Sequence, residues 1–86
     1  MTEKPIQPYK DYKWIVWHPD LLGGKPTIRG TRLSVALVLE CLSAGMTAEE
    51  IDKMYSGFPK EAIPEVYKIA SEKLSQPVNP SDDVAA

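Results

Sequence analysis

This sequence has a single cysteine, a single histidine and a single phenylalanine, and no apolar run approaching the roughly 18–20 residues of a membrane span. Cys41 alone excludes an internal disulfide. His18 has no cysteine or second histidine to share a metal and no evident serine to form a dyad, so it reads as a surface or turn residue. The opening residues, MTEKPIQPYKDYK, lack the apolar core of a secretory signal. A net charge of −2 argues against strong, non-specific nucleic-acid binding by the chain as a whole. There is no internal repeat. These absences lead us to expect a cytoplasmic protein with no membrane contact, no metal and no cofactor.

Catalytic constellations are absent too. Gly23-Gly24-Lys25 suggests a phosphate loop, but Pro19 stands where the first glycine is required and Pro26 follows the lysine. Glu49, Glu50 and Asp52 point different ways round a helix and do not converge as a nuclease site would require. We therefore expect no enzymatic activity and no small-molecule substrate.

What the chain does hold is concentrated in residues 23–34, GGKPTIRGTRLS, with three glycines, one proline and three basic side chains. Glycine permits backbone conformations closed to other residues, and Pro26 fixes φ where the chain turns back. Thr27 and Arg29 alternate with Ile28, which reads as a short strand with one inward residue. Gly30 breaks that strand, leaving Lys25, Arg29 and Arg32 displayed around a turn. Charge is divided accordingly. Residues 13–33 carry four cations against Asp20, whereas residues 34–75 carry four lysines against seven carboxylates.

The coarse reading is a mainly α fold, a three-helix bundle with a short N-terminal β-hairpin. Residues 1–12 read as a flexible arm with Tyr9 and Tyr12 as anchors, residues 13–75 as one domain, and residues 76–86 as a disordered tail. Residues 13–18, KWIVWH, favour a strand that Pro19 ends, pairing with 27–29 as a hairpin over 13–33. Leu21 and Leu22 of the intervening loop can tuck inward.

Ser34 is the expected N-cap of a first helix, about 35–44, closed by Gly45. Val35, Val38, Leu39 and Leu42 form its apolar stripe. Leu37, Cys41 and Ala44 cover much of the rest, so one face should meet another chain. Thr47-Ala48-Glu49-Glu50 is a capping box opening a second helix, about 47–55, with Ile51, Met54 and Tyr55 inward. A third, about 60–75, has Val66, Tyr67, Ala70 and Leu74 as its inward stripe. Pro64 cannot sit mid-helix without removing a hydrogen bond. Either that helix begins near Ile63 or its first turn is irregular. The last two helices would form a helix-turn-helix-like unit.

From about Trp14 to Leu74 the chain resembles the domain-of-unknown-function 433 family (DUF433). The likeness rests on Gly24-Lys25-Pro26-Thr27-Ile28-Arg29-Gly30-Thr31-Arg32-Leu33, on Ala44-Gly45-Met46-Thr47-Ala48-Glu49-Glu50-Ile51, and on the closing helix around Ile63. The resemblance implies a small prokaryotic helix-turn-helix protein of homeodomain-like fold. It also implies an antitoxin-like role, in the manner of VapB, paired with a PIN-like ribonuclease toxin. Pro59-Lys60 and Pro64 depart from the family pattern, which favours threonine and regular helix there.

Two functional surfaces follow. Lys25, Arg29 and Arg32, with Lys60 and Lys68 of the third helix, are the candidate contacts to operator DNA, because Arg and Lys recognise phosphate. The competing reading pairs Arg29 and Arg32 with helix carboxylates, locking hairpin to bundle. The mixed charge of the third helix also reads as a solvated face. Trp14, Trp17, Leu37 and Cys41 are the candidate dimer or partner interface, since the two tryptophans are three apart in a strand and face opposite sides. Cys41 itself reads as a buried structural residue. The expected description is a homodimeric, antitoxin-like DNA-binding regulator. The alternative is a protein-interaction module that does not bind DNA.

Overall fold

The computed structural model describes residues 5–77. It contains three short strands, β1 (Gln7–Pro8), β2 (Ile15–Trp17) and β3 (Thr27–Ile28), followed by three helices, α1 (Val35–Ser43), α2 (Ala48–Met54) and α3 (Ile63–Leu74). Single 3-10 turns occupy Leu22–Gly24 and Lys60–Ala62. The chain is mainly helical, with a three-stranded antiparallel sheet ordered β1-β2-β3.

The expected hairpin is present. Ile15 lies opposite Ile28 and Val16 opposite Thr27. A third strand joins it from a segment expected to be a flexible arm. Gln7 lies opposite Trp17 and Pro8 opposite Val16. Pro8 is tolerated because β1 is an edge strand, where a missing N–H breaks no inner ladder. From Tyr9 the chain turns back, with the Tyr12 amide donating to the Tyr9 carbonyl at 3.0 Å. The two tyrosine rings stack with centroids 5.9 Å apart, and Tyr12 is buried in the core. The tail expected over 76–86 lies outside the described residues from 78 onward.

Residues 26–35 form a self-bonded turn rather than a plain strand break. The Ile28 amide donates to the Leu33 carbonyl at 2.8 Å, and Thr27 bridges to Ser34. Gly30, at φ +78°, occupies the third position of the turn closed by the Thr31 amide on the Ile28 carbonyl, where a side chain would be strained. The Thr31 hydroxyl donates to the Ile28 carbonyl and accepts from the Leu33 amide. Thr27, expected to face outward, is fully buried, and its hydroxyl donates to the Lys25 carbonyl at 2.8 Å. A threonine can be buried there because its one donor is satisfied within its own turn.

Helix ends follow the sequence closely. The Ser34 hydroxyl accepts from the Leu37 amide at the start of α1, and Gly45 at φ +88° follows its C-cap, Ala44. Thr47 and Glu50 complete the reciprocal capping box of α2. Pro64 is resolved by both expected alternatives together. The turn at Lys60–Ala62 is 3-10, and α3 proper starts at Ile63, so Pro64 falls in its first turn, where an N–H has no helical partner to lose.

The core joins sheet and helices: Tyr12, Ile15 and Ile28 from the sheet side, Val35, Val38 and Cys41 from α1, Ile51 from α2, and Ala62, Val66 and Ile69 from the last helix and its leading turn. Three residues expected to point inward do not. Met54 is 62% exposed, Tyr67 54% and Leu74 82%. Ala62, Val66 and Ile69 fix the phase of α3 at four- and three-residue spacing, which carries Tyr67 to the outer side. In α2, the single turn around the fully buried Ile51 likewise leaves Met54 outside.

Candidate nucleic-acid interface

The cations singled out in the sequence fall at three places. Arg29 and Arg32 flank Gly30 on the turn after β3, and both are exposed. Lys60 stands on the 3-10 turn leading into α3. Lys25 lies on the loop before β3, and Lys68 on the side of α3 that meets the N-terminal segment.

The ion pairs that the competing reading requires between these arginines and helix carboxylates are not formed among the described residues. There the one salt bridge is Lys10 to Glu72 at 3.9 Å, between exposed side chains. Arg29 instead donates through Nε to the Lys13 carbonyl at 2.6 Å, which ties its stem to the neighbouring strand segment and fixes where its guanidinium projects. Arg32 makes no hydrogen bond or ion pair among the described residues.

Four of the helix-region carboxylates, Glu50, Asp52, Glu65 and Glu72, accept hydrogen bonds from neutral donors. Glu65 of α3 accepts from the Lys13 and Trp14 amides through its two oxygens, at 2.9 and 2.6 Å. Glu72, two turns on, accepts from the Tyr12 hydroxyl at 2.6 Å. Glu50 caps α2, and Asp52 accepts from the Gly57 and Phe58 amides, both at 3.1 Å, holding the turn that follows that helix. One edge of α3 is thus fastened to residues 12–14, and two of its acidic side chains are drawn to that edge. Burial, reinforced by the Glu72 carboxylate, pushes the Tyr12 phenol well above its ordinary pKa, so it remains a donor. Lys68 lies on the same edge, 5.6 Å from the Tyr12 ring centroid.

The outer side of this helical segment presents Lys60, Pro64, Tyr67 and Ser71. Glu61, Glu65 and Glu72 each adjoin a member of this row in sequence, and of the three only Glu61 is exposed with its side chain unpartnered among the described residues. Sequence reasoning did not separate the bonded carboxylates from the free cations, because partners more than fifty residues away leave no local signal.

The four apolar interface candidates divide. Cys41 is 8% exposed and belongs to the core of this one chain. Trp14 and Leu37 are half-buried against that core. Trp17, at the end of β2, is 37% exposed and faces outward. His18 sits in a turn, its Nδ1 accepting from the Asp20 amide at 3.0 Å. Among the described residues no group of His, Cys, Asp and Glu is placed to hold a metal ion, and no helix is long and apolar enough to cross a membrane.

No curated protein and no solved structure matches this chain significantly. A family model described as "Protein of unknown function (DUF433)" matches residues 15–68, which run from β2 into α3 and make up more than half of the chain. By that match, and by the turn and capping box that lie within it, the chain belongs to the DUF433 family.

Proposed function

We propose that this protein is a non-enzymatic, antitoxin-like DNA-binding regulator, in which α2 and α3 act as a homeodomain-like helix-turn-helix and the turn at 29–32 adds phosphate contacts. The observation that carries this reading is the separation of charge. Glu65 and Glu72 are held against residues 12–14, while Arg32 and Lys60 stand exposed without a carboxylate partner among the described residues. A phosphate backbone is attracted by unpaired guanidinium and ammonium groups and repelled by carboxylates on the same face. The outer row Lys60, Pro64, Tyr67 and Ser71 supplies the face that would approach a groove, with the Tyr67 ring and Ser71 hydroxyl as base or sugar contacts. Arg29, oriented by its bond to Lys13, stands beside Arg32 as a second phosphate ligand. A homodimer would double these few charges and set two half-sites. A PIN-like toxin is the protein partner that the family resemblance suggests.

The test is a mobility shift on the DNA upstream of the protein's own gene, with and without the adjacent gene product. A specific shift that Arg32→Ala and Lys60→Ala both weaken is the expected result. No shift in either condition removes operator binding and leaves a protein-interaction module. That second reading has its own observation, an apolar groove between α1 and α3.

A further inference from the structure

The groove lies between α1 and α3, with a volume of about 350 Å³. Its walls come from Val35, Ala36 and Leu39 on one side and Ile69, Ala70 and Leu74 on the other. Pro26, Lys25 and Lys73 complete the lining, and both lysines are exposed. A second depression adjoins it, sharing Pro26 and Lys73 and extending to Trp17 and Lys10. No Asp or Glu lines either one. In a chain of net charge −2, this is an apolar surface rimmed only by cations.

We propose that this groove is a docking site for an acidic amphipathic helix of another protein. Three features set the chemistry of the occupant. The walls are almost wholly apolar, so the contact is made by aliphatic or aromatic side chains. Lys25 and Lys73 have no ionic partner among the described residues, so carboxylates on the incoming segment would complete them. The groove is open to solvent, since Leu74 in its wall is 82% exposed. A small ligand would be left largely uncovered there, whereas small-molecule sites enclose most of their ligand. A partner that brings its own outer surface covers the groove better. Where α1 and α3 meet, the groove offers their apolar faces to a third helix, whose apolar residues would repeat at three- and four-residue spacing and whose Asp or Glu would flank them. The exposed Trp17, unexplained by the fold, becomes an anchor at the far end of the same surface. The proposal goes beyond DNA binding and uses neither Arg32 nor Lys60.

Selection of binders from a random 16-residue peptide library against the full chain tests it, with affinities of the recovered peptides measured by fluorescence anisotropy. The expected consensus has apolar residues at helical spacing flanked by Asp or Glu. Ala36→Glu and Leu74→Glu, both at exposed positions, should abolish binding, and Lys25→Glu with Lys73→Glu should weaken it by about tenfold or more. Unchanged melting temperatures exclude unfolding as the cause, and Arg32→Ala should leave peptide binding intact. Three results overturn the proposal: no peptide whose binding responds to Ala36→Glu, recovered peptides without acidic residues, or a wild-type dimer in sedimentation that Leu74→Glu dissolves, which would make a second copy the occupant.

Discussion

Glu65 holds the chain together across fifty residues by accepting two backbone amides, one from each of Lys13 and Trp14. Hydrogen bonds to a charged acceptor are stronger than neutral ones, and removing the acceptor leaves the half-buried Trp14 amide without its partner. Glu65→Ala should therefore cost about 2–3 kcal/mol in urea denaturation, with Glu65→Gln between it and the wild type. Tyr12 offers a second test through pH. Its phenol is neutral in the fold, with a pKa raised by burial and by Glu72. In the unfolded chain it ionises near pH 10. Because the folded value lies above the unfolded one, its contribution is complete below about pH 10 and is lost as pH rises through the raised folded value. The wild type should thus lose stability above that pH faster than Tyr12→Phe, and the difference between their denaturation curves across the alkaline range checks this. Neither residue stood out in the sequence as a tie between the chain's two ends. Tyr12 was legible only as an anchor, and Glu65 only as one charge on a mixed face, because the pairing depends on where α3 lies against the sheet.

At the scale of elements, the sequence was most readable where the governing interaction is local. Ser34, the Thr47–Glu50 box and Gly45 act within four residues, and all stand where their chemistry requires. Thr47→Ala should cost about 1 kcal/mol, as loss of a capping side chain does. Pro64 makes a sharper test. Placed mid-helix, its replacement by alanine would stabilise the protein by about 3 kcal/mol, since the missing hydrogen bond and the ring clash would both be relieved. Placed in the first turn of α3, its replacement should change stability by less than about 1 kcal/mol, with the loss arising from the more flexible unfolded chain. A thermal melt of Pro64→Ala separates the two. Strand content was less legible. The β2–β3 hairpin was readable from its β-branched and aromatic residues, but β1 is two residues long, includes a proline and has no alternating pattern to find. The inward stripes of α2 and α3 were read correctly at Ile51, Tyr55 and Val66, which belong to or pack on the core, but Met54, Tyr67 and Leu74 are apolar yet lie where no second layer covers them.

For the molecule as a whole, two different surfaces emerge from one arrangement. Fastening the acidic edge of α3 to residues 12–14 leaves Arg32 and Lys60 unpaired among the described residues, and the contact of α1 with α3 leaves a cation-rimmed groove elsewhere. The basic turn at 29–32 was legible in the sequence as a site, but the pairing of its arginines with helix carboxylates was an equally good reading until the partners of those carboxylates were known. The groove was not legible at all, since its walls come from two helices and a loop that only the tertiary fold brings together. Membership of the DUF433 family agrees with the motif that the sequence displayed at Gly24–Leu33.

The most direct test of the DNA-binding account is the salt dependence of binding to the upstream DNA, followed by fluorescence anisotropy for the wild type, Arg32→Ala and Lys60→Ala. Arg32 is preferred to Arg29 because Arg29 also bonds the Lys13 carbonyl and its loss would loosen the sheet edge. If these cations neutralise phosphates, wild-type affinity falls as salt rises, and each substitution reduces the slope of log affinity against log salt by about 1. Binding whose salt slope is the same in all three proteins, or no binding even at low salt, would contradict the account.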